Sequence, residues 1–202
     1  MTAIEMPALP GFTDCSFFLA TNSQTFVSPL TKTTQSVELG GALWMATYTL
    51  PPMSRRQAAP WVAFLMRLKG QVNTFNGFDP DCKTPLGVAS GDPQVNGGSQ
   101  TGNSLVVDGC APDVTNWALP GDYFAVNGEL KMITAPVGTD GGGNAAIFFE
   151  PPLRASPDDN TPLTLSRASC EMILTDDMQA RFQVDRFGIY QPKTFTAVEK
   201  IS

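Results

Sequence analysis

The stretch Leu119-Pro120-Gly121-Asp122-Tyr123-Phe124-Ala125-Val126-Asn127-Gly128-Glu129-Leu130-Lys131-Met132-Ile133-Thr134, followed after a Gly-rich loop by Ala145-Ala146-Ile147-Phe148-Phe149-Glu150-Pro151-Pro152-Leu153-Arg154, decides the fold class. Asn127-Gly128 predicts a type I′ hairpin turn, because both central positions of that turn need positive φ. The turn sets a register in which Ala125 faces Leu130 and Tyr123 faces Met132 on one side. Phe124 then faces Lys131, and Val126 faces Glu129, on the other. The first side reads as the core side and the second as mixed and partly wet. The run Ala145 to Glu150 reads as a further strand with a hard stop at Pro151-Pro152.

Working outward, Cys15 to Ala20, Thr34 to Leu39 and Ala42 to Thr49 read as strands, with Gly40-Gly41 as a turn and Pro51-Pro52 as a stop. Leu105 to Val107 is a short strand. Leu163 to Leu174 is one long strand or a pair, with a turn at Asp176-Asp177. Phe182 to Tyr190 and Thr194 to Ile201 close the chain as strands. One helix is expected over about 55–69. Ser54 with Gln57 fits a capping box, and Trp61, Phe64, Leu65 and Leu68 form one apolar stripe ending at Gly70. Pro60 interrupts the ladder, so the regular helix is expected to begin late, near Pro60. Residues 1–10 read as an extended arm. Residues 76–103, poor in large apolar side chains, read as a long surface loop. The fold class is mainly β, a barrel or sandwich with one helix. It is taken as one domain over 1–202, with a second small β lobe over 104–175 as the alternative division.

Composition excludes several functions. The chain has 18 Gly and 17 Pro, and 42% of its residues are hydrophobic, which fits a real core with many turns. A net charge of −6 and no basic run argue against sequence-specific nucleic-acid binding. No apolar run is long enough for a membrane span, and Met1 to Pro10 lacks the pattern of a signal peptide. The absence of histidine removes Ser-His-Asp and Cys-His nucleophilic sites and His-based zinc sites. Cys15, Cys82, Cys110 and Cys170 are widely spaced without a paired motif. They read as reduced thiols rather than a disulfide framework or an iron–sulfur cluster.

Other motifs resolve to loops. Gly91 to Ser99 lacks the lysine of a phosphate loop. Asp140 beside Gly141-Gly142-Gly143 reads as a tip needing positive φ rather than a calcium turn. Asp158-Asp159 and Asp176-Asp177 read as solvent-facing turns rather than an acid/base pair. Trp44 and Trp61 read as core residues. Trp117, beside Asn116, reads as an exposed platform that could stack a sugar.

Phe26-Val27-Ser28-Pro29-Leu30-Thr31 leading to Gln35-Ser36-Val37-Glu38, Leu43-Trp44-Met45-Ala46 followed by Trp61-Val62-Ala63-Phe64-Leu65, Gly121 to Val126 with Pro151 to Arg154, and the ending Phe195 to Lys200 share an order and spacing. In these stretches the chain resembles distal tail proteins and related minor tail proteins of long-tailed (siphovirus-type) bacteriophages. The resemblance implies a non-enzymatic virion protein without a cofactor. It would be made in the bacterial host cytoplasm and be located at the tail tip. It implies a hexameric ring joining the tail tube protein to the hub, tape measure or fibre proteins. On this reading the arms between subunits are residues 1–10, the 76–103 loop with Asp92 and Asn96, and the loop carrying Asp140, Gly142 and Asn144. The acidic balance would suit a lumen through which DNA slides. The alternatives are another minor tail or hub-associated virion protein, a monomeric carbohydrate-binding β-sandwich using Trp117, and a carboxylate-dependent cell-wall hydrolase.

Overall fold

The computed structural model describes residues 3–201. The chain is mainly β with one α-helix among the described residues, and its strands pair antiparallel. It divides into two compact units. One comprises Thr74–Met172 with the N-terminal residues up to Met6; the other comprises Pro7–Asn73 and Ile173–Ile201. The first begins well before residue 104, the start expected of a second lobe. No helix among the described residues is long and apolar enough to cross a membrane.

In the unit of residues 7–73 and 173–201, β1 (Asp14–Ala20) and β12 (Lys193–Glu199) flank β4 (Leu43–Leu50). Residues of β4 alternate, so Trp44, Ala46, Tyr48 and Leu50 are all buried. α1 (Arg55–Leu68) buries Ala58, Trp61, Phe64, Leu65 and Leu68, the stripe read from the sequence plus one alanine. Phe12, Tyr48, Trp61 and Phe195 pack as an aromatic cluster, with Phe12 4.7 Å from Tyr48 and 5.3 Å from Trp61 between ring centroids.

The helix begins at Arg55, not near Pro60. The side chain of Gln57 accepts from Ser54 N–H at 3.1 Å and from Ser54 Oγ at 2.8 Å, which fixes the first turn. Pro60 lies on the exposed side, where the Arg56 carbonyl that loses its helical donor can bind water. Lys69 takes the left-handed conformation at the C-terminus and Gly70 follows at φ 64°.

β2 (Ser23–Val27) and β3 (Thr34–Glu38) form a two-stranded ribbon whose ten residues are all exposed. The expected strand over Phe182 to Tyr190 is absent. Asp185 instead folds it into a turn, accepting from Phe187 N at 2.8 Å and Ile189 N at 2.9 Å, and leaves isolated bridges at Val184 and Tyr190.

In the other unit, β6 (Gly91–Val95), β7 (Gly102–Cys110), β10 (Ala145–Leu153), β9 (Glu129–Ile133) and β8 (Tyr123–Val126) form one sheet in that spatial order. Residues 160–165 lie along both outer strands. Pro162 bridges Gln94 of β6, and Thr164 exchanges two hydrogen bonds with Ala125 of β8, at 2.8 and 2.9 Å. One segment thus covers the middle of both edges and curls the sheet around its core. That core holds Leu105, Val107, Trp117, Phe124, Ile147 and Phe149, all essentially buried. A three-residue strand, β5 (Phe75–Gly77), pairs with the start of β11 (Cys170–Leu174).

The hairpin has the predicted turn, with Asn127 at φ 51° and Gly128 at φ 78°, and the four predicted cross-strand pairs. Both of its faces are largely buried: on the face expected inside, Leu130 and Tyr123 are buried. Phe124, Val126 and Ile133 join the core, so Lys131 and Glu129, on that same face, are buried as well. β10 runs through Pro151-Pro152 to Leu153; the ladder shifts register between Phe148 and Leu153, so the prolines sit where regular pairing is already interrupted.

Residues 76–103 are not a free loop. They contain the end of β5 and all of β6. Residues 3–6 likewise dock on their own unit, with Ile4 N donating to Thr74 O at 2.9 Å and Met6 buried, rather than standing off as an arm.

Candidate functional site

Of the residues expected in subunit-contact loops, four come together. Asp140 accepts through Oδ1 from Gly142 N and Asn144 N, both at 2.8 Å, and through Oδ2 from Asn144 Nδ2 at 3.0 Å. Its backbone N–H donates to Asn144 O at 3.0 Å, closing the loop on itself. Asn96 Nδ2 donates to Asn144 Oδ1 at 3.3 Å and ties this loop to the end of β6. The Asn144 side chain and these backbone donors hold the Asp140 carboxyl below the usual carboxylate range. The donors facing Asp140 come from its own loop, so the arrangement is a rigid turn. Gly143, at φ 76°, makes the close approach: a Cβ there would sit 2.3 Å from Cys110 O.

Asp92 lies elsewhere, on the wall of an open cleft of about 560 Å³ between residues 84–94 and 162–166. Pro85, Val88, Pro93, Leu163 and Leu165 line it, and Asp92 supplies its charge.

Trp117 is not a platform. It is fully buried in the core, and its indole N–H donates to Ser90 O at 2.8 Å. The short segment around it reads as loop by composition. Its backbone nevertheless pairs with Val137, and Val88 and Ala89 donate to Asn116 O and Trp117 O. A large apolar ring flanked by paired backbone is drawn inward.

Two polar centres went unread in the sequence. Asp122, 3% exposed, accepts from Leu86 N at 2.6 Å, Gly87 N at 3.0 Å and Leu119 N at 2.8 Å, pinning residues 86–87 to the start of the hairpin. Lys131 Nζ donates to Glu129 Oε2 at 2.6 Å and Pro152 O at 2.8 Å, while Glu129 accepts from Arg154 N and Ala155 N, both at 3.1 Å. Burial pushes the Glu129 pKa up, but the Lys131 hydrogen bond and charge and the two backbone donors outweigh it and hold the group below its ordinary 4.5. The available signal was the Gly121-Asp122 turn beside Pro120, and opposite charges two residues apart on one strand face.

Three carboxylates of the two Asp-Asp pairs hold backbone donors. Asp159 accepts from Gly97 N at 2.7 Å, Asp176 caps the 3₁₀ turn at Met178 N, and Asp177 accepts from Gln71 N at 3.1 Å. Among the described residues no cluster of three or more His, Cys, Asp or Glu side chains is arranged to hold a metal ion. Burial raises the thiols of Cys82 and Cys110 to about 11. Asp79 adds to the effect at Cys82, and Asp108 adds to it at Cys110.

No protein-family model matches this chain, and no curated protein sequence matches it.

Proposed function

We propose that this chain is a structural subunit of a bacteriophage tail, acting by assembly rather than turnover. In this reading it forms a hexameric ring at the distal tail, between the tail tube and the hub or fibres. The observation that carries the proposal is where its uncovered apolar surface lies. Phe18, Phe26, Val27, Leu30, Val37 and Leu39 are 41–92% exposed and fall within residues 18–39, and Phe26, Val27, Leu30 and Val37 lie in one of the stretches that carries the family resemblance. A monomer that stays a monomer rarely concentrates its exposed large apolar side chains in so short a segment. The mainly β architecture with one helix is the kind that resemblance implies. The burial of Trp117 removes the residue on which the carbohydrate-binding alternative rested.

The test is native mass spectrometry of the purified chain with negative-stain electron microscopy. Closed rings with a central channel are the expected result. A chain that remains monomeric across the accessible concentration range would count against the ring.

A further inference from the structure

α1 carries a charge pattern that a helix by itself disfavours. Arg55 and Arg56 occupy its first turn, which holds no acidic residue. The N-terminal end of a helix carries partial positive charge, so carboxylates are favoured there and cations are not. Arg67 and Lys69 follow at the other end, and the chain has no Asp or Glu between Glu38 and Asp79. None of these four cations forms an ion pair among the described residues. Asp177 meets the end of the helix but accepts from Gln71 N at 3.1 Å. The buried stripe turns Arg55, Arg56, Ala59, Ala63, Met66 and Arg67 outward, and all six are exposed. The outer face is thus two alanines and a methionine edged by arginine, with no anion of the same chain to meet it.

Charge is divided between the two units. The unit of residues 7–73 and 173–201 has nine basic and six acidic side chains, a net charge of +3. The unit of Thr74–Met172 with the residues up to Met6 has four basic and thirteen acidic ones, a net charge of −9. Part of that excess is gathered at one end of its sheet. Gly91 pairs with Cys110, Ala145 pairs with Val107, and Asp113 N donates to Asp140 O at 3.1 Å. The start of β6, the end of β7 and the start of β10 therefore lie together. Residues 89–92, 108–116 and 138–144 contain four aspartates and no lysine or arginine. Asp92, Asp113 and Asp140 among them are exposed.

We infer that the outer face of α1 in one copy docks on this acidic sheet end in a second copy of the chain. This rests on the self-associating reading above and names its contact. The occupant follows from charge complementarity. Arginines that break the helix rule without compensation inside the chain mark a functional surface, and the chain itself supplies the opposite charge. Duplex DNA is the other polyanion these arginines could meet, but a chain of net charge −6 would carry its acidic unit toward the phosphates. Guanidinium groups fork onto carboxylates, and Ala59 and Ala63 leave room for close approach. Because the two patches differ, the contact is head-to-tail. Repeated, it builds a ring if the rotation closes.

The experiment uses the full chain. Arg55→Glu/Arg56→Glu reverses the helix face, and Asp92→Lys/Asp113→Lys reverses the sheet end. Asp113 sits at φ 55°, a conformation that Lys32 and Lys69 also adopt. Sedimentation and native mass spectrometry at low salt read self-association. Each variant alone should associate about tenfold or more weaker than wild type. Asp92→Asn/Asp113→Asn, of nearly unchanged size, should weaken it in the same direction. Mixed in equal amounts, the two reversed chains should associate again, because each reversed face then meets a reversed partner. Wild-type association should weaken as salt is raised. Thermal unfolding of the monomeric helix variant should be unchanged or shifted upward, since glutamate suits the first turn. Variants that each associate as wild type does overturn this contact and leave the ring reading in place. Weakened association of each folded variant without recovery in the mixture overturns the pairing of these two faces. A wild-type chain that stays monomeric at every salt concentration overturns both readings. If that monomer binds a DNA duplex and Arg55→Glu/Arg56→Glu does not, the helix face has that occupant instead.

Discussion

Lys131 Nζ lies 2.6 Å from Glu129 Oε2, and the two residues occupy the core-facing side of one strand. Lys131 has no exposed side-chain surface, so its ammonium depends on Glu129 and the Pro152 carbonyl for what water would otherwise provide. Lys131→Met should leave a carboxylate facing the core without its cation and cost about 3–5 kcal/mol. Replacing both residues with apolar ones should cost much less in the pair itself, because burying two charges is expensive even when they are joined. Urea unfolding of the two single variants and the double variant reads the difference. A double-variant loss equal to the sum of the two single losses would show that the pair does not act as a unit.

The same pair sets an acid limb. The folded pKa of Glu129 lies below its ordinary 4.5, so its ionised form is favoured by folding. Its contribution is therefore fully present above about pH 4.5 and is lost as pH falls through the folded value. Glu129→Gln should lower stability at neutral pH and flatten the decline on acidification. Denaturation midpoints measured from neutral pH down through the acid range, compared between wild type and variant, check both the sign and the window.

Asp122 is the second load on the fold. Its three backbone donors come from residues 86, 87 and 119, so one side chain orders a stretch that composition alone marks as loose. Asp122→Ala should strand partly buried N–H groups at about 1–3 kcal/mol each where water cannot reach them. Asp122→Asn keeps one acceptor oxygen and should fall between. Limited proteolysis within residues 84–91 should accelerate in the order wild type, Asn, Ala. Unchanged cleavage would mean the loop is held by other contacts.

Trp117 separates a structural from a recognition role. With its ring buried and its indole N–H bonded to Ser90 O, Trp117→Ala should cost about 3–5 kcal/mol as a large-to-small change in the core. Thermal unfolding reads this directly. A variant with unchanged stability but altered glycan binding would restore the platform that the structure removes.

How much of this was legible in sequence follows from what each signal encodes. Asn127-Gly128 specifies a turn conformation, and the turn fixes the register, so all four cross-strand pairs followed from two residues. The period-two pattern says which residues share a face but not that both faces of the hairpin are covered. Phe124, Val126 and Ile133 outweighed the charges beside them, and Lys131 went inward because Glu129 and Pro152 were there to receive it. That compensation is tertiary and leaves no local mark. In the sequence Pro60 and Pro151 read as breaks. Each instead sits where its missing donor does little harm, on a solvent-facing side or at a register shift. The candidate contact loops were legible as glycine and asparagine tips. Which of them meet was not, since Asn96 and Asn144 are brought together by the β6–β7–β10 pairing.

The thiols give a test that needs no mutation. Cys82 and Cys110 are raised to about 11, by burial first and then by nearby aspartates, so both should be almost wholly protonated near pH 7. Alkylation of either by iodoacetamide should be far slower than that of a free thiol, and mass mapping of labelled peptides would show it. Rapid labelling of Cys110 in folded protein would contradict its burial.

Gly143 closes the Asp140 loop at a position no side chain fits. Its φ of 76° disfavours L-residues, and a Cβ would meet the Cys110 carbonyl oxygen at 2.3 Å, a backbone atom of β7 at a residue paired with Gly91 of β6. Gly143→Ala should therefore destabilise by more than the ~1 kcal/mol that positive φ alone costs. Gly128→Ala, at φ 78° with open space around it, isolates the conformational part. The difference between the two midpoints in chemical denaturation measures the steric part. If the two variants lose equal stability, the Cys110 carbonyl yields freely and the loop is softer than its hydrogen bonds imply.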